Sequence, residues 1–425
     1  MRKILNIIIL FSLCFNICSC DKTDINNNNS LINTDHLEQL YQEINIKDNI
    51  LGTIWIYCNA PDYNVVTDDD EGYTCVDDVS RALVFYCRQY KIEPEIKYLK
   101  KIQSLTNFIL YMKADNGYFY NFMFPNNEIN ITHRNSVATP NFWSWRALWA
   151  LSELNMLESP QLKDLQSKAA PIIEQLIEKI SQQFSNPSET VIVDGINIPE
   201  YSITTGNDQL SIIIVALTNY YQLNKSVEIK NLILNLTDVL VKSQFGNKDL
   251  FPYYAFMSWK NIWHAWGNMQ AYALLYSGRV LQNDILITAG INEVKYFYPY
   301  CIDNGFLHQF KLVNKNNSLI MEDYNKFSQI AYSISPMILA SIEAYKISLD
   351  EKYAKQAGNL ATWFLGNNVA NQIIYNINTG ITFDGINSEN DVNYNSGAES
   401  TIEALLSMQA IESNEIAKRV VTNYK

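Results

Sequence analysis

The chain has 425 residues, 48% of them hydrophobic and 18% charged, so it can bury a large core without a disulfide scaffold. Its formal net charge is −12 and no run of Lys or Arg follows the first three residues, which argues against nucleic acid, whose phosphates need a concentrated cationic surface. Aromatic content is 12%, with 27 Tyr and 8 Trp, and flat rings with polar tips suit sugar faces as well as protein cores.

Residues 1–20 read as an export signal, with Arg2 and Lys3 ahead of an apolar stretch too short to span a bilayer. The string Ile17-Cys18-Ser19-Cys20 resembles the lipobox of bacterial lipoproteins, which implies acylation of Cys20 and a cell-envelope protein on the outer-membrane or periplasmic side. A cleaved secretory peptide without lipid is the competing reading. Residues 21–34 are polar and Asn-rich at their start, as a disordered tether would be, and 35–425 should form the folded domain. No later apolar run reaches membrane-spanning length, so a lipid anchor is the expected membrane contact. Cys58, Cys75, Cys87 and Cys301 follow no metal-ligand spacing. Export permits a Cys58–Cys75 bridge, with buried free thiols as the alternative.

A short helix is expected over residues 35–43. From there the sequence predicts six pairs of helices: 77–91 with 94–113, 144–157 with 161–184, 207–223 with 228–244, 263–281 with 284–302, 327–349 with 351–365, and 396–410 with 414–423. Within a pair the connection is a few residues, which makes the two helices antiparallel; between pairs it is long, so the long loops gather at one end. Second members are amphipathic, as Ile229, Leu232, Ile233, Leu236, Val239 and Leu240 illustrate, and should have one wet face. First members such as residues 210–217 are apolar nearly all round and should line the inside. Six inner helices wrapped by six outer ones make an all-α (α/α)6 toroid. Pro171 and Pro336 fall within helical patterns, and Ser335-Pro336 reads as an N-cap and first turn that would shorten the fifth inner helix.

Polar residues at the leading ends of inner helices should converge on one pocket. The first helix offers Asp77 and Asp78 behind the acidic loop 68–71, and the sixth carries Asn395 and Glu399 after a loop with Asp384, Glu389 and Asp391. Cleavage of a glycosidic bond needs two carboxyls, one protonated for the leaving oxygen and one ionised for water or the sugar carbon. Asp77 and Asp78 point about 100° apart on a helix, so one of them should cap the helix or pair with Arg81 or Arg146. Glu399 could equally be a glutamate favoured by the helix dipole. Tyr73, Trp143, Trp263 and Trp266 are candidate stacking platforms; Arg134, Asn207, Asp208 and His264 are candidate partners for hydroxyls, although Asp208 also suits a cap and His264 a hydrogen-bonded core position. No His-x3-His or calcium-loop pattern occurs, so neither a metal nor another cofactor is expected.

These residues carry a resemblance. The string Gly72-Tyr73-Thr74-Cys75-Val76-Asp77-Asp78 with Arg81 and Ala82 is similar to a Cys-x-Asp-Asp-x-x-Arg-Ala string at the first inner helix of bacterial carbohydrate-active (α/α)6 domains. Residues 363–368 (WFLGNN), followed by Tyr394-Asn395, resemble segments of family 9 glycoside hydrolases within the six-hairpin glycosidase superfamily. That resemblance spans residues 51–424 and implies an acid at Glu389, six residues before Asn395, and hydrolysis with inversion. The family's Asp-Ala-Gly-Asp base motif and its His-His-Arg segment are absent, so Glu389 and Glu399 compete for the acid.

The sequence therefore points to a monomeric glycoside hydrolase acting on a carbohydrate, with Asp77 or Asp78 and Glu399 or Glu389 as its carboxylates. A polysaccharide lyase using His264 or His133 is the alternative on the same fold, weakened by few pocket-end cations beyond Arg134 and Arg146. A glycan-binding lipoprotein without turnover is the non-enzymatic alternative.

Overall fold

Each hairpin is set by short-range chemistry at its turn. After residue 224 the chain passes through Lys225 in left-handed backbone (φ 51°), and the Ser226 hydroxyl then accepts a hydrogen bond from the Ile229 N–H at 3.3 Å, stopping one helix and capping the next. Asn283 and Asp350 cap the following outer helices in the same way. In chain order the paired helices are α1 (Val76–Ile92) and α2 (Ile96–Tyr111), α3 (Phe142–Asn155) and α4 (Lys163–Gln183), α5 (Asn207–Asn224) and α6 (Val227–Lys242), α7 (Gln270–Leu281) and α8 (Asp284–Asn292), α9 (Ala331–Ser348) and α10 (Glu351–Ala361), and α11 (Ala398–Glu412) and α12 (Glu415–Tyr424).

The computed structural model describes residues 30–424, and the compact unit begins at Leu31. The expected export signal and the Cys20 lipidation site lie outside the described residues. The odd-numbered helices pack on one another in succession, α1 on α3, α3 on α5, and so on to α11, which returns to α1 and closes the ring. Each even-numbered helix lies against its own partner on the outside. Burial follows the pattern read from sequence: α5 is buried without interruption from Leu210 to Asn219, whereas α6 buries Ile229, Leu232, Ile233, Leu236, Val239 and Leu240 along one stripe. The chain is an (α/α)6 toroid.

Several expectations are corrected. Residues 263 and 264, expected at the start of the fourth inner helix, lie instead in a strand (Ile262–His264) paired with Gln309–Lys315, which pairs in turn with Ser318–Asn325. Gly267, at φ +70°, separates that strand from α7. Further hairpins, Thr190–Val193 with Ile196–Pro199 and Gly385–Ser388 with Asp391–Asn393, also stiffen the long loops. The fifth inner helix is not shortened at Ser335: α9 starts at Ala331, and Pro336 sits inside it, as Pro171 sits inside α4. The first helix spans only Asp35–Leu40 and runs into strand Tyr41–Ile46. Residues 31–34, assigned to the tether, pack on the ring: Leu31 is fully buried, its N–H donates to Glu412, and the Tyr375 hydroxyl donates to its carbonyl at 2.9 Å. No bridge joins Cys58 and Cys75; the four cysteines among the described residues are free and buried.

After α8 the helix widens into a π turn over Glu293–Phe297, which turns the Glu293 carboxyl inward to accept the Phe256 N–H at 2.8 Å. Burial without a cation pushes this carboxyl up to about 8. The folded state therefore keeps a proton that the unfolded chain releases near pH 4.5, so the stability it contributes is lost as pH rises through 8. Glu293→Gln should match the wild type in urea midpoint near pH 5 and exceed it above about pH 8. Equal midpoints across that range would remove the buried proton.

Candidate functional site

The leading end of α1 is fixed before any ligand chemistry is considered. Strand Thr74–Cys75 pairs with Phe122–Met123, and Cys75 caps the helix with its thiol, accepting the Asp78 N–H at 3.4 Å and donating to Asp78 Oδ2 at 3.2 Å. The Asp77 N–H donates to Asn121 Oδ1 at 3.1 Å. Asp77 and Asp78 thus occupy the first turn, where unpaired N–H groups favour negative charge.

One turn later Arg81 reaches back and across the ring. Its Nη1 donates to Asp78 Oδ1 at 2.7 Å and lies 2.9 Å from Asp77 Oδ2, and its Nη2 donates to Glu399 Oε2 at 2.7 Å. Nε faces Glu403 Oε1 at 3.1 Å, an ion pair without hydrogen-bond alignment. Arg146 from α3 completes the cluster, with Nε 2.5 Å from Asp77 Oδ1 and Nη2 donating to the Tyr332 hydroxyl at 2.7 Å. The Tyr332 ring lies 4.9 Å from the Arg81 guanidinium carbon and 4.8 Å from that of Arg146, so one ring serves two cations.

Burial sets the proton affinities. It pushes Asp78 up to about 6 against the pull of Arg81, with Asp77 and Glu399 adding to the rise. Burial also raises Glu403, which Arg81 and Arg146 oppose, and raises Tyr332 to about 12. Asp384, lifted by burial too, accepts the Gly397 N–H at 2.7 Å and the Ser400 hydroxyl at 2.5 Å, tying the last long loop to the start of α11. Gly397 is required there because a Cβ would meet the Ile56 carbonyl at 2.6 Å. Asp78, Asp384 and Glu399 share the wall of a cavity of roughly 160 Å³ with Tyr57 and Ser400.

A second group borders the same mouth. His264 Nε2 lies 3.3 Å from Asp208 Oδ2, and its Nδ1 is 2.8 Å from the Trp266 carbonyl. Its ring stacks on the Trp266 indole at 3.8 Å, and His308 leans on that indole at 4.9 Å. Burial lowers the affinity of His308 for a proton. A Cβ on Gly267 would sit 3.2 Å from the Tyr332 hydroxyl and 3.6 Å from Asp208, so the two groups adjoin.

The structure thus brings together Asp77, Asp78 and Glu399, and beside them Asp208, His264 and Trp266. Glu389 does not join them: it is exposed in the turn of the hairpin Gly385–Ser388 and Asp391–Asn393, because the strands point that turn outward. Three expected platforms are interior residues. Tyr73 is buried against Trp55, Trp143 donates to the Phe119 carbonyl at 2.8 Å, and Trp263 stacks on Phe310. Asn207 is fully buried and donates to the Met257 carbonyl at 2.8 Å; Asn395 accepts the Ala60 N–H at 3.1 Å. Both hold loops in place. Arg134 is exposed on the loop before α3. Sequence reasoning missed Tyr332, Glu403 and His308 as site residues and noted Asp384 only as a loop acid; Glu403 carried a signal too, four residues after Glu399 on one helix face.

Removing Arg81 leaves buried carboxylates uncompensated. Arg81→Met should lower stability at pH 7 by about 3–5 kcal/mol, with part of the loss recovered near pH 5 as carboxyls protonate. Urea unfolding at the two pH values measures it; a loss below about 1 kcal/mol would contradict the hub.

No family model matches the sequence, and no curated protein matches it. Solved structures do. A sugar epimerase from a ruminal bacterium aligns with TM-score 0.62 and 14% identity over 89% of this chain and 95% of its own. A D-mannose isomerase aligns with TM-score 0.61 and 11% identity over 90% and 96%. A family 76 glycoside hydrolase from a bovine Bacteroides thetaiotaomicron strain aligns with TM-score 0.56 and 10% identity over 89% and 76%. The chain therefore shares the (α/α)6 fold of these carbohydrate-active proteins, at a distant level of similarity.

Proposed function

We propose that this mouth hydrolyses glycosidic bonds of a neutral poly- or oligosaccharide, with Asp78 as proton donor and Glu399 as the carboxylate that activates water or attacks the sugar carbon. One observation carries the reading: Asp78 and Glu399 sit on the two terminal nitrogens of the same buried guanidinium, one deep and proton-retaining, the other partly open to solvent. With both oxygens 2.7 Å from those nitrogens, they are at most about 8 Å apart, within the span that carboxylate pairs of glycosidases use. Four carboxyls face two guanidiniums here, which disfavours an acidic sugar. The lyase alternative is weaker for the same reason, since Arg81 and Arg146 are already paired.

A specific observation favours a second reading. His264 and His308 flank Trp266, and two imidazoles so placed could take and return a proton beside a sugar carbonyl, as an epimerase or isomerase requires.

Incubation with neutral oligosaccharides and free sugars, reading new reducing ends and epimerised products separately, divides the two. Hydrolysis should fall about 100-fold or more in Asp78→Asn and Glu399→Gln with sugar binding retained, and should decline as pH rises through about 6 because Asp78 must hold its proton. Products of unchanged length, lost in His264→Asn and His308→Asn, would establish the second reading. Sugar binding without turnover would leave a glycan-binding protein.

We also propose envelope anchoring through Cys20. Incorporation of labelled palmitate by expressing cells should be lost in Cys20→Ala; equal incorporation would exclude it.

A further inference from the structure

The tight-turn end of the ring has its own cavity, roughly 300 Å³, far from the carboxylate cluster. Arg88, which lines it, lies ten residues beyond Asp78 on α1, about 15 Å along the axis. Two glutamates are buried in its wall, and each holds one arginine. Glu153 Oε1 accepts from Arg88 Nη2 at 2.8 Å and Nε at 3.2 Å, and Glu343 Oε1 accepts from Arg279 Nε at 2.5 Å. Lys91 stands 3.7 Å from Glu153 and Lys346 3.3 Å from Glu343. Between the arginines Tyr272 and Tyr276 stack in parallel at 5.9 Å; Arg88 Nη2 donates to the Tyr272 hydroxyl at 3.4 Å, and the Arg279 guanidinium lies 5.5 Å over Tyr276.

Four cations against two carboxylates leave two positive charges lining this cavity, in a chain whose net charge is −12. Helix dipoles explain why Lys91, Arg279 and Lys346 occupy the last turns of α1, α7 and α9. They do not explain why two glutamates are buried behind the guanidiniums, gripping each by Nε. That grip fixes the planes and leaves Arg88 Nη1 and both terminal nitrogens of Arg279 without a hydrogen-bond partner among the described residues. Fixed, partly desolvated guanidinium edges with spare donors suit planar or tetrahedral oxygens.

We propose that this cavity is a second ligand site, which binds a small multivalent oxyanion of the phosphate type. It is independent of the catalytic reading, because it shares helices with that mouth but no side chain.

Calorimetric titration of the full chain with inorganic phosphate at low ionic strength tests it. One saturable site is expected, weakened at least tenfold in Arg279→Gln and in Arg88→Gln. Should those variants fail to fold, the more exposed pair Lys91→Gln/Lys346→Gln should still weaken binding several-fold with an unchanged thermal midpoint. Asp78→Asn should bind phosphate as the wild type does. Absence of phosphate binding by the wild type, or undiminished binding in the lysine pair variant, would overturn the proposal.

Discussion

Arg81 is a guanidinium taken almost wholly out of water, and the ring's closure is organised around it. Two of its four acids come from its own helix and two from α11, so the same group that neutralises Asp77 and Asp78 also fastens the sixth hairpin to the first. A lone buried cation would be intolerable; four acids around it pair its charge and overcompensate it. Arg146 absorbs part of the excess through Asp77, and Tyr332 presents its ring to both cations. Burial works against that excess by raising the proton affinity of Asp78, Glu403 and Asp384.

The geometry of the toroid explains why chemistry collects there. Inner helices start at the long-loop end, where free N–H groups favour carboxylates, and finish at the tight-turn end, where carbonyls favour cations. The acid-rich mouth and the cation-rich cavity are two consequences of one helix orientation. The neighbouring structures carry sugar epimerase, isomerase and hydrolase names on this scaffold, which fits a fold that fixes where a site is while loops and individual side chains decide what it does.

Much of the fold was legible because it is written in short-range patterns. The stripe on α6 and the all-round apolar run on α5 separate outer from inner helices, and the alternation of connection lengths gives the topology. The site was legible only in part. Asp77, Asp78 and Glu399 announced themselves as acids at helix starts, but Tyr73, Trp143 and Trp263 read as platforms because composition cannot tell an indole that faces solvent from one that fills a wall. Tyr332 gave no local sign; its role depends on two arginines from other hairpins. His308 was equally silent, since it is brought to Trp266 by a β-sheet in a loop that helical periodicity does not describe. The strand Ile262–His264 was missed for the same reason: three residues are too few to display a period.

The bond between Arg81 and Glu399 joins residues 318 positions apart. A ribosome emits the first hairpin long before it makes the sixth, so the nascent chain carries an arginine without its two α11 partners and a bare apolar seam on α1 through most of its synthesis. The arc can grow hairpin by hairpin, yet its two free flanks meet only when the last one emerges. Loss of the final thirty residues would therefore be felt at residue 81, not merely at the trimmed end.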